Sequence, residues 1–166
     1  MSENRKVPEM ERAILDKINY ANRILEIKLK YKDDGNLSAL FKKAEILKIF
    51  EQLGYKPKYL QGGGYVISKH YEDYLFELNC INLKNVFDFR LSISKDGKYI
   101  ENRVSGMRYI LNFIPFDQEL ATESNSGKYG LSTLDDLKNY LNDMINLIFE
   151  FVDEYIKEIN AGNVPE

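Results

Sequence analysis

The chain has 166 residues, of which 44% are hydrophobic and 30% charged, with one cysteine, one histidine and a formal net charge of −3. That length suits one domain with a proper core, built without disulfides or metals, and the composition excludes an intrinsically disordered chain. No apolar run approaches the roughly 20 residues needed to cross a bilayer, and a lone histidine excludes any multi-histidine metal centre.

Residues Met1 to Lys6 lack the apolar segment of a secretory signal, so a cytoplasmic location is expected. Pro8, followed by Glu9 and Glu11, has the form of a helix start, since proline is tolerated in the first turn and acids suit the positive end of the helix dipole. Ile14, Ile18, Ala21 and Leu25, flanked by Met10, Ile24 and Leu29, give one buried stripe, and the helix is expected over 9–32 with Lys28, Lys30 and Lys32 in its last turn. Asp33-Asp34-Gly35-Asn36 is a turn. A second helix is expected over 37–53, with Leu37, Leu40, Phe41, Ala44, Leu47 and Phe50 inward and Gly54 as its stop. Lys42, Lys43 and Lys48, with Lys56 and Lys58, gather a basic patch. No arginine and aromatic interleaving accompanies them, so nucleic acid is not expected as a partner.

Tyr55 to Gly64 is read as a connector, with Gly62-Gly63-Gly64 its most distinctive element. Three glycines permit positive φ and close backbone approach, as a phosphate cradle requires. The run lacks both a following Lys-Ser/Thr pair and the wider glycine spacing that opens a helix, and Tyr65-Val66-Ile67 reads as a strand. A turn is the expectation, and a ligand loop formed with His70 is the alternative. His70 itself reads as an exposed strand-end residue, because a general base needs a nucleophile and an orienting acid beside it.

From Tyr74 to Ile114 four alternating runs read as an antiparallel meander. The Asp96-Gly97 pair is the strongest hairpin signal and sets Lys95 opposite Lys98 and Ile93 opposite Ile100. Counting outward places Phe89 opposite Val104, Ser92 opposite Glu101 and Arg90 opposite Arg103, and a Ser105-Gly106 link places Arg103 opposite Arg108. A loop over Asn82 to Asn85 pairs Cys80 with Phe87, Leu78 with Phe89, Phe76 with Leu91, Tyr74 with Ile93 and Glu77 with Arg90. One face is then apolar, with Cys80 a small buried hydrophobe on it. The other carries Glu77, Asp88, Arg90, Glu101, Arg103 and Arg108. Opposed like charges are destabilising, so the arginine row reads in two ways. It is either a solvated ladder neutralised by Glu77, Asp88 and Glu101, or a surface that receives a phosphate, a small carboxylate or the acidic side chains of a partner protein.

Pro115 ends the last strand, and residues 117–130 form a polar loop. The last helix is expected over 132–160, capped by Ser132 with Asp135 three residues on. Its stripe of Leu134, Leu137, Leu141, Met144, Ile148, Phe151 and Tyr155 is long enough to lie across the apolar sheet face, with a homodimer through this helix as the rival. The chain is therefore expected to be one α+β domain over 1–166. Two N-terminal helices and the long C-terminal helix pack on one face of an antiparallel sheet of about four to five strands over 65–114.

Charge is segregated along the chain. Residues 1–60 hold 13 Lys and Arg against 9 Asp and Glu, a balance of +4, whereas residues 131–166 hold 2 against 8, a balance of −6. The acidic residues Asp136, Asp143, Glu150, Asp153 and Glu154 form either a decoy for a basic partner or a helix face that neutralises a basic neighbour within the chain. No catalytic constellation, metal site or cofactor motif is visible, and the abundance of Lys, Ile, Asn and Tyr suggests an AT-rich bacterial or phage genome. The expectation is a non-enzymatic cytosolic interaction domain, such as a bacterial immunity protein, inhibitor or chaperone, that binds another protein through a charged surface. The alternative is a small anionic-ligand-binding or hydrolytic domain that uses Gly62, Gly63, Gly64, His70 and the arginine row.

Overall fold

The computed structural model of the chain describes residues 7–31, 40–83, 86–100, 117–119, 121 and 130–163. Within them the N-terminal stripe folds as two helices, α1 (Glu9–Lys17) and α2 (Tyr20–Lys30), in place of the single helix expected over 9–32. The break falls at Asn19, whose φ of 53° is left-handed, a conformation that asparagine tolerates better than most residues. Ile18 and Asn19 still donate backward to Ile14 O and Asp16 O, and Asn19 O accepts from Arg23 N–H to open α2. Ile14, Leu15, Ile18, Tyr20, Ala21, Ile24 and Leu25 all remain buried through the bend.

The next helix, α3 (Lys43–Gln52), starts later than the 37 expected from the stripe; residues 37–39 lie outside the described residues. Glu45 Oε2 accepts from the Lys42 backbone N–H at 2.7 Å and fixes the start there, so Leu40 stays outside the helix, 74% exposed, and Ala44 faces solvent. The inward residues are Ile46, Ile49 and Phe50. At the other end Gly54, at φ 88°, donates to Glu51 O, and Tyr55 donates to Phe50 O at 2.8 Å, the paired bonds of a Schellman stop.

The sheet has five antiparallel strands in sequential order: β1 (Lys58–Leu60), β2 (Gly64–Tyr71), β3 (Tyr74–Leu83), β4 (Val86–Lys95) and β5 (Lys98–Ile100). β1 lies in what the sequence presented as a connector. The Asp96-Gly97 turn is as expected, with φ of 50° and 75°, and Lys95 faces Lys98 and Ile93 faces Ile100. The β3 to β4 register is two residues away from the expected one: Cys80 pairs with Phe89, Leu78 with Leu91, Phe76 with Ile93 and Tyr74 with Lys95. Pairing continues to Leu83 and Val86, so only residues 84 and 85 separate the strands where a loop over 82–85 was expected. A shift of two keeps every side chain on its own face and changes only its neighbour. Glu77 consequently lies opposite Ser92, and Arg90 opposite Asn79. The pairs expected beyond Ile100, and the strand expected over 107–114, lie outside the described residues.

One long helix, α4 (Leu134–Asn160), covers the apolar face. Its cap is Thr133 and not Ser132: Asp136 N–H donates to Thr133 Oγ1 at 3.1 Å, and Asp136 Oδ2 accepts from Thr133 N–H at 3.1 Å. Tyr140 meets Phe89 of β4 edge-on with ring centroids 5.9 Å apart, and Tyr155 meets Phe76 of β3 at 5.7 Å. Tyr140 also meets Tyr31 at the end of α2, and Phe50 of α3 stacks on Tyr65 of β2. The α4 helix is thus clasped between the sheet and α1–α2, and its buried residues run from Leu137 to Tyr155 on more than one side. Leu134, expected in the stripe, sits at the first helical position and is exposed. No described helix is long and apolar enough to cross a membrane.

Candidate functional site

With α4 on one face, the sheet presents its other face as an array set by strand alternation. Val66, Ser68 and His70 come from β2; Leu75, Glu77, Asn79 and Ile81 from β3; Asp88, Arg90, Ser92 and Ser94 from β4; Tyr99 from β5. Near its centre Arg90 Nε donates to Asp88 Oδ2 at 3.2 Å, with side-chain exposures of 63% and 16%. Asp88 Oδ1 also accepts from Phe89 N–H at 3.1 Å, which anchors the carboxylate to the strand. The pair stabilises the fold by less than about 1 kcal/mol. It does engage Nε while the terminal Nη donors make no hydrogen bond within the described residues, which leaves them for a planar carboxylate or phosphate. Half-buried Ile81, opposite Asp88, is diagonal to Arg90, while half-buried Leu75 and 59% exposed Tyr99 flank Ser94 on the same face, four residues further along β4. Sequence reading placed Arg90, Asp88 and Glu77 on this face and missed its apolar members. Arg103, Arg108 and Glu101, the rest of the expected row, lie outside the described residues.

The acidic residues of α4 are engaged from within the chain. Asp143 accepts from Lys30 Nζ at 2.9 Å and from Tyr31 Oη at 2.8 Å, and Glu150 pairs with Arg23 at 2.6 Å. Glu154 pairs with Lys17 and Lys157, Asp153 pairs with Lys69, and Asp136 serves in the helix cap. Burial, followed by the bond to Asp143, pushes the Tyr31 hydroxyl up to about 12. Hydrogen bonds from Lys157 and Lys17 hold the Glu154 carboxyl below its ordinary range. The basic α1–α2 surface and the acidic α4 surface therefore answer each other.

Gly62 and Gly63 form the turn of the β1–β2 hairpin, at φ of 101° and 100°, and Gly64 begins β2. Gly63 O accepts from Asn82 N–H at 2.9 Å, so the run is packed against β3 rather than opened as a cradle. His70 is exposed six residues along β2, about 20 Å from Gly64 at strand spacing. The glycine turn, His70 and Arg90 do not converge on one small ligand. Cys80 is fully buried against Phe89 and Tyr65, and burial pushes its thiol up, away from reactivity. Among the described residues no group of three or more His, Cys, Asp or Glu is placed to hold a metal ion.

No family model matches the chain, and comparison with curated proteins and with solved structures returns no match.

Proposed function

We propose that the protein is a non-enzymatic interaction domain that binds another protein through the sheet face opposite α4, with Arg90 as the central polar contact. The observation that carries this reading is the composition of that face: an exposed arginine whose Nη donors make no hydrogen bond among the described residues, on a face shared with half-buried Leu75 and Ile81 and exposed Tyr99. Arginine and tyrosine are enriched at interface hot spots, where a planar donor and a rigid aromatic supply most of the binding energy. The α4 acids support the same choice from the other side, since their charge is answered within the chain. An immunity protein, inhibitor or chaperone fits a domain of this kind. The anionic-ligand reading loses support from the separation of the glycine turn and His70.

The test is recovery of the tagged protein from its own host at moderate salt, with mass spectrometry of what stays bound, for the native chain and for the triple variant Arg90→Gln, Arg103→Gln, Arg108→Gln. A near-stoichiometric partner that the folded triple variant no longer retains supports the reading. Equal retention by the triple variant refutes the role of the arginines.

A further inference from the structure

Among the described residues the sheet is open along one edge. β1 pairs with β2 only over Lys58 to Leu60, opposite Gly64 to Val66, whereas β3 pairs with β2 over its whole length to Tyr71. β1 begins only at Lys58, and just before it the chain is still tied to the end of α3, where Tyr55 N–H donates to Phe50 O. Beyond Val66, the β1 side of β2 has no strand beside it among the described residues.

Residues of an antiparallel strand direct their backbone groups alternately to one neighbour and the other. Two bonds set the phase in β2. Asn82 N–H donates to Gly63 O, and the Glu72-Asp73 turn closes on the pair Tyr71 and Tyr74. Odd-numbered residues therefore bond to β3, and Ser68 and His70 turn their N–H and C=O groups to the open edge. Both residues are exposed.

The flank of this edge carries the part of the basic half for which no ion pair is seen among the described residues. Residues 40–60 hold Lys42, Lys43, Lys48, Lys56 and Lys58 against Glu45 and Glu51, a balance of +3. Lys56 and Lys58 are exposed and make no ion pair among the described residues, and Lys43 Nζ rests 3.7 Å from the centre of the Tyr59 ring. Lys17, Arg23, Lys30 and Lys69, by contrast, are each held by an acid of α4. A second copy of the chain is a poor occupant. Antiparallel pairing of Ser68 with His70 across a two-fold axis sets the two Lys69 side chains opposite each other in a close pair.

We propose that this edge receives an acidic segment of a partner protein in extended conformation, added as a strand beside β2. Its main chain bonds to Ser68 and His70, and its carboxylates answer Lys56 and Lys58, where β1 leaves the edge. This is strand addition, in which backbone bonds give affinity and side chains give specificity. It rests on the reading of the chain as a partner-binding domain but uses a different surface from the Arg90 face.

The experiment titrates the 15N-labelled full chain with a short synthetic peptide of alternating Val and Glu, followed by amide shifts and hydrogen exchange. The expected result is protection of the Ser68 and His70 amides. Methylating alternate peptide nitrogens should weaken binding about tenfold or more, because it removes the ladder donors without touching the protein. Lys56→Glu with Lys58→Glu should weaken it about tenfold, with a matching loss on added salt. The proposal is overturned by any of three results: no binding at millimolar peptide, equal binding of the methylated peptide, or a short oligonucleotide that occupies the same lysines equally well with the two amides unprotected. If the peptide fails while a host partner remains dependent on the arginines, the edge is refuted and the Arg90 face stands.

Discussion

Alanine substituted in turn at Gly62, Gly63 and Gly64 separates a structural hairpin turn from a ligand loop, because the three sites differ in their surroundings. Gly62 and Gly63 share a φ near 100°, so alanine at either pays about 1–3 kcal/mol for a backbone conformation that L residues avoid. A Cβ at Gly62 meets nothing within 4 Å, whereas one at Gly63 lies 2.9 Å from the carbonyl oxygen of Asn82, part of the β3 backbone. Overpacking against an atom that cannot rotate away adds about 1–3 kcal/mol. A Cβ at Gly64 lies 2.8 Å from Asn79 Oδ1, the end of a side chain that makes no hydrogen bond through that oxygen, and the backbone there is not left-handed. The amide can swing aside, Leu60 Cβ at 3.3 Å has to give by a few tenths of an ångström, and the lower entropy of the unfolded chain offsets that cost by about 0.4–1 kcal/mol. The expected order of destabilisation is therefore Gly63→Ala at about 4 kcal/mol, Gly62→Ala at about 2 and Gly64→Ala near zero. In a domain of this size each kcal/mol lowers Tm by about 2–4 °C. Urea and thermal unfolding followed by circular dichroism read the series directly. If Gly63→Ala costs no more than Gly62→Ala, the close approach to Asn82 is wrong, and if all three are neutral, so is the hairpin turn.

The cap assignment predicts that Thr133→Ala lowers stability by about 1 kcal/mol and Ser132→Ala by clearly less; equal losses in urea would return the cap to Ser132. The raised Tyr31 hydroxyl stays protonated in the folded chain after its unfolded counterpart has ionised at the ordinary value of 10.0, so its contribution to stability is complete below pH 10 and is lost as pH rises from there through about 12. Tyrosinate absorbance should show one fewer late-ionising tyrosine in Tyr31→Phe, and an unchanged alkaline titration contradicts the raised ionisation that its burial and its bond to Asp143 imply. The lowered Glu154 carboxyl acts at the other end of the scale: its contribution is present above the ordinary carboxylate pKa and lost as pH falls through the folded value, so Glu154→Gln should flatten the acid limb of a stability against pH profile. Cys80 should react with a thiol reagent only as fast as the protein opens, and rapid modification of the native state would disprove its burial.

Arg90→Gln alone should change stability by less than about 1 kcal/mol, because the side chain is exposed and its pair with Asp88 is weak. Loss of partner retention with Tm unchanged separates recognition from folding. A fall in Tm of more than a few degrees assigns the residue to the fold.

What the sequence determined by itself follows from short-range rules. The alternation of β3 and β4 has a period of two, so Cys80, Phe76 and Arg90 could be assigned to their faces even though the register was placed two residues away. The Asp96-Gly97 turn needs positive φ at both positions, which few residue pairs accept, so that hairpin was legible with its pairing. The long apolar stripe of α4 identified the helix that covers the sheet. Tertiary structure decided the rest, because those choices depend on contacts between residues far apart in the chain. The β3–β4 turn is set by how many backbone pairs can close, and the bend at Asn19 by how two helices lie along α4. The use of the α4 acids was left open between a partner and a neighbour, and the folded chain brings Lys17, Arg23, Lys30 and Lys69 to them. Periodicity reports which side of an element is apolar; only packing reports which charge meets which, and so which charges remain for a partner.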